Sequence, residues 1–198
     1  MSRISKIEHH DWDPELRAMT HADEATVLER GTMRIMAHKP GTAKGFVGFF
    51  GALKAERTLP ERLLELVRLR IAFHNQCRSC MAVRYKDAAA EGVDEDLVCS
   101  LERPMEAEGL SDRERLAIDY GERLATNHLS IDDAYHDRLR SLFSEPEIVE
   151  LGMFCAVCVG FGRLGATWDM VEELPERFRE RDACAVTPWG GADTILVR

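Results

Sequence analysis

Apolar positions recur at helical spacing along most of the chain, and capping sequences mark several helix starts. At 58–61, 111–114 and 144–147 a serine or threonine precedes a glutamate by three residues. In such a capping box the hydroxyl and the carboxylate bind backbone N–H groups that a helix start leaves without partners. Long helices are predicted after these three starts, over about 59–74, 111–127 and 145–160.

Four shorter segments with helical periodicity predict further helices. They cover about 23–38, 41–55, 76–91 and 130–143. No stretch shows the alternation of apolar and polar residues that is typical of a half-buried strand, and the pattern predicts an all-α fold. The apolar, β-prone residues 194–197 predict either an extended arm packed on a neighbouring subunit or a partly ordered tail.

Two of the predicted helices are apolar on every side, which places them in a core or in an oligomer interface. One is 59–74; the other includes 151–161, which carries no charged residue. The chain has no uninterrupted run of about eighteen apolar residues, so no membrane span is expected. We expect a polar N-terminal segment at 1–22, one helical domain at 23–170, and a charged segment with an arm at 171–198.

Composition and charge narrow the classes of function. The net charge is −9, which argues against a nucleic-acid-binding protein, since such proteins neutralise phosphates with lysine and arginine. The polar N-terminus lacks the apolar core of a signal peptide, and we expect a cytoplasmic protein. Six cysteines in a cytoplasmic chain are expected to be reduced, catalytic or metal-binding rather than a structural disulfide framework.

Cys77 and Cys80 form a Cys-x-x-Cys pair, the most informative chemical feature of the chain. A helix capped by Asn75 would place both cysteines on one face, with Cβ atoms ~5–6 Å apart and able to form a disulfide. Arg84 falls on the same face, and its charge and the helix dipole favour the thiolate, the reactive form of cysteine. Two other interpretations stay open: inert core cysteines, and a zinc site that adds His74.

Cys155 and Cys158 form a second Cys-x-x-Cys pair, but their surroundings are wholly apolar. An apolar environment raises the pKa of a thiol and makes it unreactive. We therefore expect a structural role for this pair, with a four-cysteine zinc site as the alternative. Cys99 and Cys184 are solitary, and the sequence assigns them no role.

Glu65 is unusual because it lies inside the most apolar predicted helix, between Arg62 and Arg68. It could be a surface carboxylate in two weak ion pairs. It could also be a partly buried carboxylate that accepts a proton from a thiol. The residues alone leave both interpretations open.

The run 59–80 resembles the core of the carboxymuconolactone decarboxylase / alkylhydroperoxidase D superfamily. The redox branch of that superfamily carries a glutamate, eleven residues, Cys-x-x-Cys, three residues and a histidine. Glu65, Cys77 and Cys80 match this spacing. Residues 34–40 and 110–168 are similar to the family's flanking helices, so that the resemblance covers about 25–170 of the chain.

The resemblance implies an all-α, AhpD-like domain that assembles as a homotrimer, hexamer or dimer. It implies that Cys80 attacks a peroxide, that Cys77 resolves the product into a disulfide, and that Glu65 acts as the base. Arg84 stands where the family has its relay histidine, and arginine cannot accept a proton. His74 is the candidate substitute, although the helix dipole would make Cys77 rather than Cys80 the more acidic thiol.

The sequence therefore predicts a thiol peroxidase or disulfide reductase that needs no cofactor. The expected substrate is hydrogen peroxide, an organic hydroperoxide or another small molecule, and an external dithiol or a thioredoxin-like protein would reduce the enzyme. No nucleic acid or membrane partner is expected. Two alternatives stay open: a lactone decarboxylase of the superfamily's other branch, which needs no cysteine pair, and a redox sensor or other non-catalytic member.

Overall fold

Helices build almost the entire fold. The structure is a computed structural model that describes residues 1–180, 186–190 and 193–198. Its α-helices are α1 Pro14–Met19, α2 Val27–Arg30, α3 Met33–Met36, α4 Pro40–Ala55, α5 Glu61–Asn75, α6 Arg78–Ala82, α7 Lys86–Ala90, α8 Glu95–Ser100, α9 Asp112–Thr126, α10 Asp133–Arg140, α11 Glu145–Trp168 and α12 Glu176–Arg179. Two short strands accompany them, β1 Val83–Tyr85 and β2 Ile195–Val197. The all-α prediction is confirmed.

The core forms where α5 packs against both α9 and α11. Leu66 and Val67 of α5 are fully buried there. Gly121 lets α9 approach closely, because a Cβ at this position would lie only 2.8 Å from Val67 Cγ1. Of the two locations predicted for this helix, a core or an oligomer interface, the structure shows the core.

Two of the three predicted capping boxes are present. Ser111 caps α9 and Ser144 caps α11, each with its glutamate at the third helical position. The box predicted at Thr58 is wrong, because Thr58 donates its hydroxyl hydrogen bond to Glu150 at 2.6 Å. Pro60 is the N-cap of α5 instead.

The single helix predicted over 76–91 is wrong. Gln76 adopts a left-handed conformation with φ 50° and ends α5, so Cys77 becomes the N-cap of the five-residue helix α6. The Gln76 side chain donates to the carbonyls of Phe73 and Val186 and accepts from the N–H of Val186. These contacts hold the break in place, and they involve a residue 110 positions away in sequence.

The helix predicted over 23–38 is also divided in the structure. Gly31, with φ 40°, separates α2 from α3. An unpredicted capping box starts α2, where Thr26 and Glu29 bind each other's backbone N–H groups. The sequence pattern thus located helical structure but not the turn inside it.

The arm predicted at 194–197 is a strand that pairs with the same chain. β2 runs parallel to β1, with Val83 opposite Ile195 and Tyr85 opposite Val197. The arm is thus ordered and packs on the domain of its own chain. The solitary Cys184 and part of the charged segment predicted near it lie outside the described residues.

Helix α11 has one buried and one exposed side, although both are apolar. Leu151 and Cys155 are fully buried, whereas Val149 and Met153 are exposed. By length and composition alone, this helix of 24 residues could cross a membrane, although it contains no uninterrupted apolar run of the length sought in the sequence. Core helices of soluble proteins can have the same property.

Candidate functional site

Cys77 and Cys80 are joined by a disulfide across α6, with Cα atoms 5.2 Å apart. Their environments differ. Cys77 is 1% exposed and lies against α11, where its Sγ is 3.7 Å from the position of a Cβ on Gly165. Cys80 is partly exposed and lines a cavity. Of the two sulfur atoms, that of Cys80 is therefore the one that a molecule in the cavity can reach.

The cavity beside Cys80 has a volume of about 370 Å³. This volume lies within the range of pockets that bind small organic molecules. Its wall is mainly apolar, with Phe46 and Phe161 in ring contact at 4.1 Å between centroids. Its apolar lining includes Phe46, Phe50, Val157, Phe161, Met170 and Leu174. The family resemblance implies a pocket lined by helix 59–74 and a neighbouring subunit, and Arg68 and Ala72 of that helix do line this cavity. The contribution of the aromatic residues of 46–50 was not predicted.

Glu65 is buried, with 3% of its surface exposed, and forms a bidentate ion pair with Arg68 at 2.6 and 2.7 Å. The surface interpretation of Glu65 is therefore wrong, and Arg62 binds Glu114 instead. Burial alone would lower the pKa of the Arg68 guanidinium. The adjacent Glu65 carboxylate has the larger, opposite effect, so the pKa of the guanidinium is raised.

Arg68 links this ion pair to the cysteine helix. Its guanidinium donates hydrogen bonds to the carbonyl of Cys80 at 2.5 Å and to that of Val83 at 3.0 Å. It also lies over the ring of Tyr85, 5.0 Å from the centroid. Glu65 thus acts on the end of α6 through Arg68, while its carboxylate hydrogen bonds to Arg68 rather than to a cysteine sulfur.

The prediction that Arg84 shares a helical face with the cysteines is wrong, because α6 ends at Ala82 and Arg84 lies in β1. Arg84 is buried and binds Glu95 through two hydrogen bonds of 2.9 and 3.2 Å. It also donates to the carbonyls of Met81, Val83 and Pro188. Burial lowers its pKa, although Glu95 acts in the opposite direction. These contacts fix the strand after the cysteine helix.

His74 lies at the end of α5, where its Nε2 is 3.3 Å from a carboxylate oxygen of Glu122. The nearby side chains of His74 and Arg70 lower the pKa of the Glu122 carboxyl group to about 2. Among the residues that the structure describes, no three histidine, cysteine or acidic side chains lie close enough together to hold a metal ion. The zinc alternative built on His74 and the cysteine pair is therefore not supported.

Cys155 and Cys158 are free thiols; Cys155 is buried, whereas Cys158 is partly exposed and lines the cavity. Burial raises the pKa of Cys158 to about 12 and raises that of Cys155 well above its usual value. This agrees with the unreactive, structural role predicted for the pair. Asn75 donates to the carbonyl of Cys158 at 2.9 Å, and a Cβ on Gly162 would come within 2.5 Å of the Asn75 amide nitrogen. Glycine at 162 thus lets α11 lie close to the start of the cysteine segment.

The chain is similar to known proteins in sequence and, separately, in fold. Residues 40–123 match the carboxymuconolactone decarboxylase family. The uncharacterized protein Rv2313c of Mycobacterium tuberculosis H37Rv is 37% identical over 143 residues, which are 70% of this chain and 50% of that protein. The uncharacterized protein YnjA of Escherichia coli K12 is 27% identical over 128 residues, 64% of this chain and 68% of that protein. The chain thus spans about half the length of the mycobacterial relative.

Two solved structures share the fold. One is an alkylhydroperoxidase AhpD core, described as an uncharacterized peroxidase-related protein from Ralstonia eutropha JMP134. Its TM-score is 0.73 at 16% identity, covering 90% of this chain and 94% of that chain. The other is a cysteine-to-alanine variant of the debrominase Bmp8 in complex with 2,3,4-tribromopyrrole. Its TM-score is 0.65 at 18% identity, covering 85% of this chain and 90% of that chain.

Proposed function

Because residues 40–123 match the carboxymuconolactone decarboxylase family and the chain shares the fold of an AhpD core, we propose a peroxidase-related function for its cysteine pair. The pair reduces hydroperoxides through a cycle between dithiol and disulfide. The observation that carries this proposal is the asymmetry of the pair: Cys80 faces a cavity, while Cys77 is buried directly behind it.

The cycle begins with the thiolate of Cys80, which attacks one oxygen of the hydroperoxide and breaks the O–O bond. The organic product leaves as an alcohol after it takes up a proton, and Cys80 becomes a sulfenic acid. The thiol of Cys77 then attacks the Cys80 sulfur, forming the disulfide and releasing water. An external dithiol reduces the disulfide and is itself oxidised to a disulfide, which restores both thiols. No cofactor takes part in these steps.

Glu65 and Arg68 support this chemistry from behind α6. In the proposal Glu65 accepts the proton of the attacking thiol, and Arg68 holds the Cys80 carbonyl and keeps the carboxylate in place. Arg84 is a positioning residue, since its contacts with Glu95 fix the strand that follows Cys80. His74 is placed against Glu122, so it has no step in this proposal.

A thiol titration tests the proposed function. Hydrogen peroxide or cumene hydroperoxide added to the reduced protein should consume two thiols per chain, those of Cys77 and Cys80, and dithiothreitol should restore them. A peroxidase continues to consume peroxide while dithiothreitol is present, whereas a redox sensor is oxidised once and stops. Turnover of a lactone by the protein with both cysteines alkylated would support the decarboxylase alternative. Retention of all thiols under excess peroxide contradicts the proposal.

We also propose that the chain forms a homo-oligomer through the exposed side of α11. Its exposed apolar residues are Val149, Met153, Phe161 and Leu164. Exposed apolar patches of this kind on one helix are typical of protein interfaces. On α4, Phe49 is also exposed. No atom lies within 4 Å of the position that a Cβ would take on Gly45 or Gly48, so there is open space beside this helix.

The double substitution Val149→Glu and Met153→Glu is expected to dissociate the oligomer, because two charges would then be buried in an apolar contact. Light scattering coupled to gel filtration measures the change in mass, and circular dichroism confirms that the variant is folded. Leu129→Glu is the matched control, since Leu129 is an exposed apolar residue outside α11. A parent protein with the mass of one chain contradicts this proposal.

A further inference from the structure

Strand β2 and helix α2 form one wall of the cavity that contains Cys80. Val197 and Arg198 lie on this wall, together with Leu28 and Glu29. Strand β2 reaches this place by pairing with β1, which follows the cysteine helix directly. The wall is therefore built from two segments that are far apart in sequence.

One side chain connects the two parts of the wall. Glu29 Oε1 accepts hydrogen bonds from the Arg198 guanidinium at 2.9 Å and from the Arg198 backbone N–H at 3.1 Å. The other oxygen, Oε2, accepts from the Thr26 backbone N–H at 2.8 Å in the capping box of α2. A single carboxylate thus joins the start of α2 to the end of β2.

We propose that the Glu29–Arg198 pair holds this wall closed and thereby limits the size of the molecules that reach Cys80. Strand β2 pairs with β1 over only three residues. A two-stranded sheet of this length has little stability of its own, so the position of its end depends on other contacts. The side chain of Arg198 is 49% exposed and that of Glu29 is 14% exposed, so the pair can open without disturbing the core.

The inference rests on the proposed function only for the identity of the oxidant; access to Cys80 can be measured without peroxide. In the reduced protein, Cys80 is alkylated with iodoacetamide, which is small, or with N-(1-pyrenyl)maleimide, which is bulky. Mass spectrometry of the peptide that contains Cys80 gives both rates. In Arg198→Met the rate with the bulky reagent should rise about two- to five-fold, the change expected from losing a half-exposed ion pair. The rate with iodoacetamide should stay the same.

Three further variants separate the ion pair from a general loosening of the strand. Glu29→Gln removes the charge but can keep the capping box, because glutamine also serves at that position, and it should behave like Arg198→Met. Arg198→Lys keeps the charge and should stay near the parent rates. Leu196→Ala is the control, since Leu196 lies on the same strand, is exposed and does not line the cavity.

The size dependence of the rates decides the outcome. The same preference should appear with oxidants, as a higher ratio of cumene hydroperoxide to hydrogen peroxide consumption in Arg198→Met. If the two alkylation rates are unchanged, or rise equally, the pair does not select by size and the inference is wrong. A parent protein that reacts with neither oxidant contradicts the proposed function, whereas the alkylation result still tests the wall by itself.

Discussion

Replacing Cys80 with serine is expected to slow thiol oxidation by hydroperoxides by about 10³-fold or more, as removal of a nucleophile does. The physical reason is position: Cys80 lines the cavity, whereas the Cys77 sulfur is buried and cannot be reached from it. Stopped-flow measurement of peroxide consumption by the reduced protein gives the rate. Cys158, the other thiol on the cavity wall, should not compensate, because burial raises its pKa to about 12 and leaves little thiolate at neutral pH.

Replacing Cys77 with serine should have a different effect. The first oxidation of Cys80 proceeds, but the sulfenic acid has no resolving thiol, so the protein gains one oxygen atom and turnover stops. Intact-protein mass spectrometry and trapping with dimedone detect this species. Cys77→Ala provides a second variant, because burying the polar hydroxyl of serine at this position could itself destabilise the protein.

Cys99→Ser is the control for both cysteine variants, since Cys99 lies outside the cavity and should leave the cycle unchanged. Equal rates for Cys80→Ser and the parent would falsify the assignment of Cys80 as the attacking residue. A sulfenic acid on Cys77 in the Cys80 variant would reverse the order of the two cysteines.

The second large effect is expected at the buried ion pair. Glu65→Gln should lower the free energy of unfolding by about 3–5 kcal/mol, because it leaves the charge of Arg68 buried without its partner. Arg68→Met should lower the free energy of unfolding by a similar amount, because it leaves the negative charge of Glu65 buried without its partner. The double variant should recover much of this loss, since no buried charge remains in it. Urea unfolding followed by circular dichroism measures all three.

Activity separates the two roles of Glu65. If the carboxylate accepts the thiol proton, the double variant regains stability but not activity, and its oxidation rate stays about 10²-fold or more below the parent. Asp137→Asn is the control for stability, because the exposed pair between Asp137 and Arg140 is worth about 1 kcal/mol or less. A double variant that recovers both stability and rate would limit Glu65 to a positioning role.

Most of the long helices could be predicted because their starts are encoded locally. The capping boxes at Ser111 and Ser144 each lie within four residues of sequence, and the apolar positions of α9 and α11 follow these two starts directly. The segment after Asn75 could not be predicted in this way. The break at Gln76 depends on contacts with Val186, which no local pattern contains.

The candidate site likewise has one part that the local sequence predicts and another that depends on contacts between distant residues. The spacing of Glu65, Cys77 and Cys80 in the sequence was enough to locate the candidate chemistry. The predicted placement of Arg84 was wrong because it depends on β1, a strand whose pairing partner lies more than 100 residues later. The cavity likewise combines α2, α4, α11 and β2, so that only the folded chain brings its wall together.

The burial of Cys77 also constrains the return half of the proposed cycle. A dithiol that reduces the disulfide must attack the sulfur it can touch, which is that of Cys80, and Cys77 is then the thiolate that leaves into the protein interior. The mixed disulfide with the electron donor therefore forms on Cys80, inside the cavity that also admits the oxidant. Oxidant and donor therefore react in turn at the same sulfur atom, the oxidant with the dithiol and the donor with the disulfide, and a donor needs a narrow, protruding thiol to reach it.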